Sequence, residues 1–160
     1  MKVALITLSD RAYHGLYEDL STPKLENWLL NNRVNHLVKK LISDDKDQLR
    51  SSIRFFLSQD MDLILTCGGT GISPRDITPD VTKEIIEKEI PGVAELIRAQ
   101  NKHPMSALSR AICGSVQKTL ILNLSGNPQG AVEQLEIVWS VLLHARLTIK
   151  GERVSGSPCD

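Results

Sequence analysis

Residues 66–80, Thr-Cys-Gly-Gly-Thr-Gly-Ile-Ser-Pro-Arg-Asp-Ile-Thr-Pro-Asp, bring together the residue types best suited to chemistry in this chain. Gly68, Gly69 and Gly71 stand within four residues, in a stretch that directly follows the apolar run Leu63-Ile64-Leu65. Glycine tolerates positive φ and lets a ligand approach the backbone. The N–H groups of such a loop can cradle an anion. Asp76 and Asp80 follow on the same connection, and Asp44 lies after another strand-like segment. A phosphate cradle beside carboxylates suits a phosphate ester and a divalent metal, because Mg²⁺ takes oxygen ligands and bridges substrate phosphates. Asp44 and Asp76 form the candidate pair. Thr70 and Ser73 add hydroxyls to the loop.

The same residues allow a plainer reading. Thr78 can cap the next helix with Pro79 at its first position. Asp80 in the first turn then favours the helix dipole without touching a ligand, so both roles stay open for it. Asp76 has no such capping role. Asp44, beside Asp45, reads from pattern alone as a helix cap. Ser9-Asp10-Arg11 offers an acceptor for a ligand amide or sugar, or a solvated turn in which Asp10 bonds its own backbone. Ser125-Gly126-Asn127-Pro128 either wraps a ligand against the glycine loop or only turns the chain, and Ser109-Arg110 adds a hydroxyl and a cation. The loop matches neither the P-loop pattern nor Gly-x-Gly-x-x-Gly, so a nucleotide bound there requires another geometry. His14, His36, His103 and His144 show no metal-ligand spacing.

The elements that must position these groups follow from periodicity. Lys2–Leu8, Val34–Ile42, Met61–Thr66 and Thr119–Leu124 read as strands. Helices are expected from Ser21 to about Asn31, after Asp44-Asp45, over Val81–Glu89 and Val93–Asn101, and over Gly130–Leu147. Pro104–Ser115 fits no pattern, and Ser155–Asp160 reads as a frayed tail. Alternating strands and helices predict an α/β three-layer sandwich, a mostly parallel sheet with helices on both faces. Ligand sites in such sheets lie beyond the carboxyl ends of the strands, at a switch in strand order. Ser9–Leu20, Ser43–Asp45, Gly68–Asp80 and Ser125–Gly130 should therefore meet on one rim.

The chain has 160 residues, which suits one domain with a sizeable core. Its 19 basic and 19 acidic residues balance, so no global field argues for nucleic acid. No apolar run is long enough to span a bilayer. Cys67, Cys113 and Cys159 are odd in number and widely spaced, which fits a reducing compartment and no disulfide framework. Met1-Lys2 leads straight into a strand without a signal-peptide pattern, so the expected location is cytoplasmic.

Gly68-Gly69-Thr70-Gly71-Ile72-Ser73-Pro74-Arg75-Asp76-Ile77-Thr78-Pro79-Asp80 resembles the signature of the molybdenum-cofactor biosynthesis family of MogA and MoaB proteins. Ser9-Asp10-Arg11-Ala12 with Gly15, Tyr17 and Asp19 resembles its MogA branch, the molybdopterin adenylyltransferases. Leu41–Asp44, Leu108–Arg110 and Leu122–Pro128 extend the likeness over nearly the whole chain. The resemblance implies a Mg²⁺-dependent transfer of AMP from ATP to the phosphate of molybdopterin, with release of pyrophosphate. It implies that Asp44 and Asp76 are the essential carboxylates and metal ligands, against the capping role that pattern gave Asp44. Gly68–Gly71 would hold phosphate, and Ser9, Asp10, Ser73, Ser109, Ser125 and Gly126 would contribute pterin or nucleotide contacts. A homotrimer, and hand-over to a molybdenum insertion protein, are further implications. A MoaB-like binding protein or a scaffold is the alternative. The family's late motif usually reads Leu-Pro-Gly. Here Ser125 replaces the proline, which implies a freer φ and an added N–H donor in the rim loop.

Overall fold

A computed structural model describes residues 1–152, and the expected tail at Ser155–Asp160 lies outside them. Lys2–Leu8 (β1), His36–Ile42 (β2), Leu63–Cys67 (β3) and Thr119–Leu124 (β6) form a parallel core sheet. Lys88–Glu89 (β4) and Cys113–Val116 (β5) add two antiparallel strands at one edge. The strand order is β2-β1-β3-β6-β5-β4. The chain leaves β1 for β2 on one side and returns to β3 on the other, so the switch in order falls between β1 and β3.

The central strands are apolar on both faces because helices cover both. Val3 and Leu5, Leu63 and Leu65, and Leu120, Leu122 and Leu124 face one cluster. There they meet Leu25 and Leu29 of Ser21–Asn31 (α2), Val93 and Ile97 of Pro91–Gln100 (α5), and Leu135, Val138 and Leu142 of Pro128–Ile149 (α6). Ala4, Ile6, Ile64 and Ile121 face the other cluster, against Leu49, Ile53 and Phe56 of Lys46–Leu57 (α3) and Val81 of Thr78–Ile85 (α4). The period of two along each strand thus sorts the core into two layers.

Three local departures have physical reasons. The expected helix over Val81–Glu89 stops at Ile85, because Glu87 N–H donates to the Ser115 carbonyl at 2.9 Å and Lys88–Glu89 joins the sheet. β5 lies in the unassigned stretch and returns to β6 through Gln117, which sits at φ 50° without the Gly or Asn that usually marks such a turn. The loop after β1 contains one helical turn, Asp10–Tyr13 (α1), whose N-cap is Ser9.

Candidate active site

The carboxyl ends of β1, β2, β3 and β6 meet where the strand order switches. Gly68 continues β3 by donating its N–H to the Leu124 carbonyl at 3.1 Å, so its amide is not a cradle donor. Its contribution is its bare Cα: φ is +108°, and a Cβ there would collide with the Leu8 carbonyl oxygen. Gly69 sits at φ +62°. The loop's carbonyls are pinned from outside. Thr78 Oγ1 donates to Gly68 O at 2.8 Å and Thr78 N–H to Gly69 O at 3.0 Å. Arg110 N–H donates to Thr70 O at 2.8 Å and Arg110 Nε to Gly71 O at 2.7 Å. The N–H groups of Gly69, Thr70 and Gly71 find no acceptor among the described residues. Thr78 is therefore a loop anchor and not a cap. α4 begins at Thr78 itself, with Ile77 in the cap position.

Asp10 and Asp44 exchange backbone donors across the β1–β2 rim. Asp10 N–H donates to Asp44 Oδ2 at 3.0 Å, and Asp44 N–H to Asp10 Oδ1 at 2.9 Å. The second Asp10 oxygen pairs with the Arg75 guanidinium. The Asp44 amide, followed by Arg75, holds the Asp10 carboxyl below the usual range, whereas burial pushes that of Asp44 above it. The helix cap is Asp45, which accepts from Gln48 N–H at 2.8 Å, and this leaves Asp44 to the site. Asp76 Oδ2 accepts Ser73 N–H at 2.8 Å and lies against Gly71, where a Cβ would come within 2.9 Å of it. Asp44 Oδ1 and Asp76 Oδ1 receive no hydrogen bond from the described residues.

Asp80, with two roles open in the sequence, forms a forked pair with Arg110: Nη1 to Oδ1 at 2.9 Å and Nη2 to Oδ2 at 3.1 Å. The Arg110 side chain also reaches Asp76 O at 2.5 Å. One guanidinium therefore fixes both ends of the glycine loop. Ser109-Arg110 carried little signal in the sequence because this partner lies 30 residues away. Beneath the loop, fully buried Asn123 donates to Thr66 Oγ1 and Thr82 Oγ1, both at 2.9 Å, and ties α4 to the sheet. A buried amide with its hydrogen bonds satisfied specifies one arrangement.

Two cavities flank the loop, of about 540 and 610 Å³. Gly69, Asp76, Gly126 and Asn127 line both. Ser9, Asp10, Asp44 and Gly68 line the first, and Thr70, Gly71, Ser109 and Ser125 the second. Ser73 lines neither: its hydroxyl accepts Arg75 N–H at 3.3 Å within the turn. Ser9 Oγ likewise accepts Ala12 N–H at 3.3 Å as the α1 cap. Ser125 uses the donor that a proline would lack, giving its N–H to Gln134 Oε1 at 2.8 Å. That bond ties the rim loop to a buried side chain of α6. Cys67 also borders the first cavity, but burial pushes its thiol up to about 12, so it is no nucleophile.

The donor set decides what metal the site can take. Among the described residues no three or more His, Cys, Asp or Glu side chains stand close enough to cage an ion. Two carboxylates with unclaimed oxygens on one cavity wall suit Mg²⁺, which completes its shell with waters and substrate phosphates. They do not suit a zinc site.

The fold and the site together define an α/β protein with a two-lobed acidic cleft at the strand ends, built around a glycine loop. The chain belongs to the molybdenum-cofactor biosynthesis family: the family model described as "Probable molybdopterin binding domain" matches residues 4–145. It is 38% identical over 141 residues to a molybdopterin adenylyltransferase of Haemophilus influenzae, covering 85% of this chain and 72% of that protein. The crystal structure of the molybdopterin biosynthesis enzyme MoaB from Thermus thermophilus superposes with a TM-score of 0.88 at 39% identity, covering 94% of this chain and 97% of that one. The tungsten cofactor synthesizing protein MoaB from Pyrococcus furiosus gives 0.79 at 30% identity, covering 91% and 96%.

Proposed function

We propose that this protein is a molybdopterin adenylyltransferase. The observation that carries the reading is the meeting of two cavities at Asp76, Gly69 and Gly126, with Asp44 on the wall of one. A reaction between two large substrates needs two lobes that share one edge. A phosphate oxygen of molybdopterin attacks the α-phosphorus of ATP, the bond to the leaving pyrophosphate breaks, and adenylylated molybdopterin results. Such transfer needs positioning and charge neutralisation more than a protein nucleophile. Asp44 and Asp76 would hold Mg²⁺, which offsets charge on the reacting phosphates. The Gly69, Thr70 and Gly71 amides, with their carbonyls pinned by Thr78 and Arg110, would receive phosphate oxygens.

The relatives' printed names support this activity, and the family likeness supports a homotrimer, a cytoplasmic location and hand-over to a molybdenum insertion protein. Among the described residues no helix is long and apolar enough to cross a membrane. Protein supplied with molybdopterin, ATP and Mg²⁺ is expected to release pyrophosphate, and Asp76→Asn to cut that release steeply. The family description as a molybdopterin binding domain supports a second reading, a molybdopterin-binding protein without chemistry. Calorimetry separates the two: pterin binding with no detectable ATP binding supports the second reading and sinks the first.

A further inference from the structure

The two arginines of the glycine-loop region are used in opposite ways. Arg110 engages Nε, Nη1 and Nη2 on Gly71 O, Asp80 and Asp76 O. Arg75 has one described side-chain partner, Asp10, and its side chain is 64% exposed. A guanidinium carries five N–H donors in a fixed fork, so most of those of Arg75 remain available. The setting gives them a purpose. The first cavity is lined by the carboxylates of Asp10, Glu18, Asp19, Asp44 and Asp76, against the cations Arg11 and Arg75. Asp19 is engaged at the start of α2, where Oδ1 accepts Ser21 N–H and Thr22 N–H, both at 3.0 Å. The Arg11 guanidinium lies over the Tyr17 ring, 5.2 Å from its centre. An oligophosphate entering this lobe meets net negative charge, and Arg75 is the lining cation not already stacked on a ring.

We propose that Arg75 is an exchangeable phosphate-binding cation: it rests on Asp10 in the free protein and passes to the oligophosphate of an incoming nucleoside triphosphate. The identity of that anion rests on the adenylyltransferase reading. An exposed arginine–carboxylate pair is weak, whereas a forked arginine–phosphate contact is among the stronger charged hydrogen bonds. The exchange does not dismantle the rim, because Asp10 keeps the Asp44 N–H on its other oxygen at 2.9 Å. Arg75 is also anchored in the loop by its own N–H on Ser73 Oγ at 3.3 Å, so the side chain can swing while the backbone stays.

The test is titration calorimetry of inorganic pyrophosphate in Mg²⁺ buffer, on the full chain. Arg75→Ala should weaken binding about tenfold or more, the loss of one charge-assisted contact. Arg75→Lys should fall between, since lysine keeps the charge but not the fork. Asp10→Asn should tighten binding: its amide oxygen still accepts the Asp44 N–H, but it no longer competes for Arg75. Should the alanine variant lose its fold in a thermal melt, Arg75→Gln replaces it. Unchanged affinity in Arg75→Ala overturns the proposal. So does Asp10→Asn weakening binding as much as Arg75→Ala, which would mean that Arg75 serves only to hold Asp10. The two readings fail separately. Arg75-dependent pyrophosphate binding in a protein that never turns over molybdopterin sinks the enzyme reading alone. Normal turnover in a protein whose pyrophosphate affinity ignores Arg75 sinks this proposal alone.

Discussion

The two ends of the parallel strands treat their carboxylates in opposite ways. At the amino end, Asp62 is buried and surrounded by donors: Lys2 N–H at 2.6 Å, the Lys150 ammonium and Arg146 Nη1 at 3.7 Å. Burial alone would raise its pKa, but Lys150, the Lys2 amide and Arg146 more than offset this, and the net shift is downward. At the carboxyl end, Asp44 and Asp76 each hold one backbone N–H and keep one oxygen unclaimed by the described residues. Burial raises the pKa of Asp44 with no cation to oppose it fully. A charge satisfied on all sides locks the fold. A charge left half-satisfied at a cleft stays available to a ligand, and a perturbed carboxylate such as Asp44 marks a candidate site.

The sharpest way to break this contrast is to neutralise each end in turn. Asp76→Asn or Asp44→Asn should cut pyrophosphate release on the order of a thousandfold, about 4 kcal/mol of transition-state stabilisation. An asparagine oxygen can still accept the N–H of Ser73 or Asp10, so the fold should survive, as a circular dichroism melt would check. Either variant retaining a tenth of wild-type turnover removes these residues from the chemistry.

The converse experiment is Asp62→Ala. It strands Lys150 and Arg146, whose side chains are 28% and 25% exposed, and leaves the Lys2 amide without its partner. Removing one partner of a mostly buried ion cluster costs about 3 kcal/mol, which for a chain this size lowers Tm by roughly 6–12 °C. Turnover per folded molecule at low temperature should stay at the wild-type level. A stable variant with impaired turnover would reverse the assignment of the two ends.

This contrast was only half legible in the sequence. The site end announces itself: strand ends, glycines and acidic residues coincide, and the strand-end rule brings Ser9, Asp10, Asp44, Gly68 and Gly126 to one cavity. The structural end carries no local signal. Asp62 looks like an ordinary residue before a strand, and Lys150 stands 88 positions away at the C-cap of α6. Arg110 was visible as a cation, but its role in holding the glycine loop was hidden for a related reason. It is placed by β5, a strand hidden by Gly114 and by a Gln turn. That glycine is required because a Cβ there would meet Lys88 O at 2.8 Å and the Ile86 side chain at 2.7 Å. Periodicity reports which residues face the core. It does not report which distant cation closes a loop.

Arg110 tests the boundary between the two behaviours, since a fully engaged guanidinium here sits beside the site. Arg110→Gln removes the pair with Asp80 and the donors to Gly71 O and Asp76 O. The exposed ion pair itself is worth at most about 1 kcal/mol, so Tm should drop by only a few degrees. A loop displaced by a fraction of an ångström matters more to chemistry, and kcat should fall about tenfold with little change in the KM for ATP. A stability loss as large as that of Asp62→Ala, with kcat intact, would place Arg110 with the structural charges.

The smallest effect, and the one specific to the comparison, is the response of each end to acid in metal-free protein. The folded-state pKa of Asp62 is lowered, so its stabilisation is complete above the ordinary aspartate range and is lost as pH falls through the lowered value. Asp44 has the opposite sign. Its folded-state pKa is raised, so the ionised group is a burden to the fold at neutral pH, and that burden is relieved as pH falls through the raised value. With a chelator present, Asp62→Asn should therefore lower Tm at neutral pH and Asp44→Asn should raise it slightly. Both differences should shrink toward zero as the medium is acidified, the Asp44 difference first because its proton binds at the higher pH. Melts of the three proteins across the acid range check this, and Tm shifts of the same sign at neutral pH would dissolve the distinction between a charge that holds the fold and a charge held ready for a ligand.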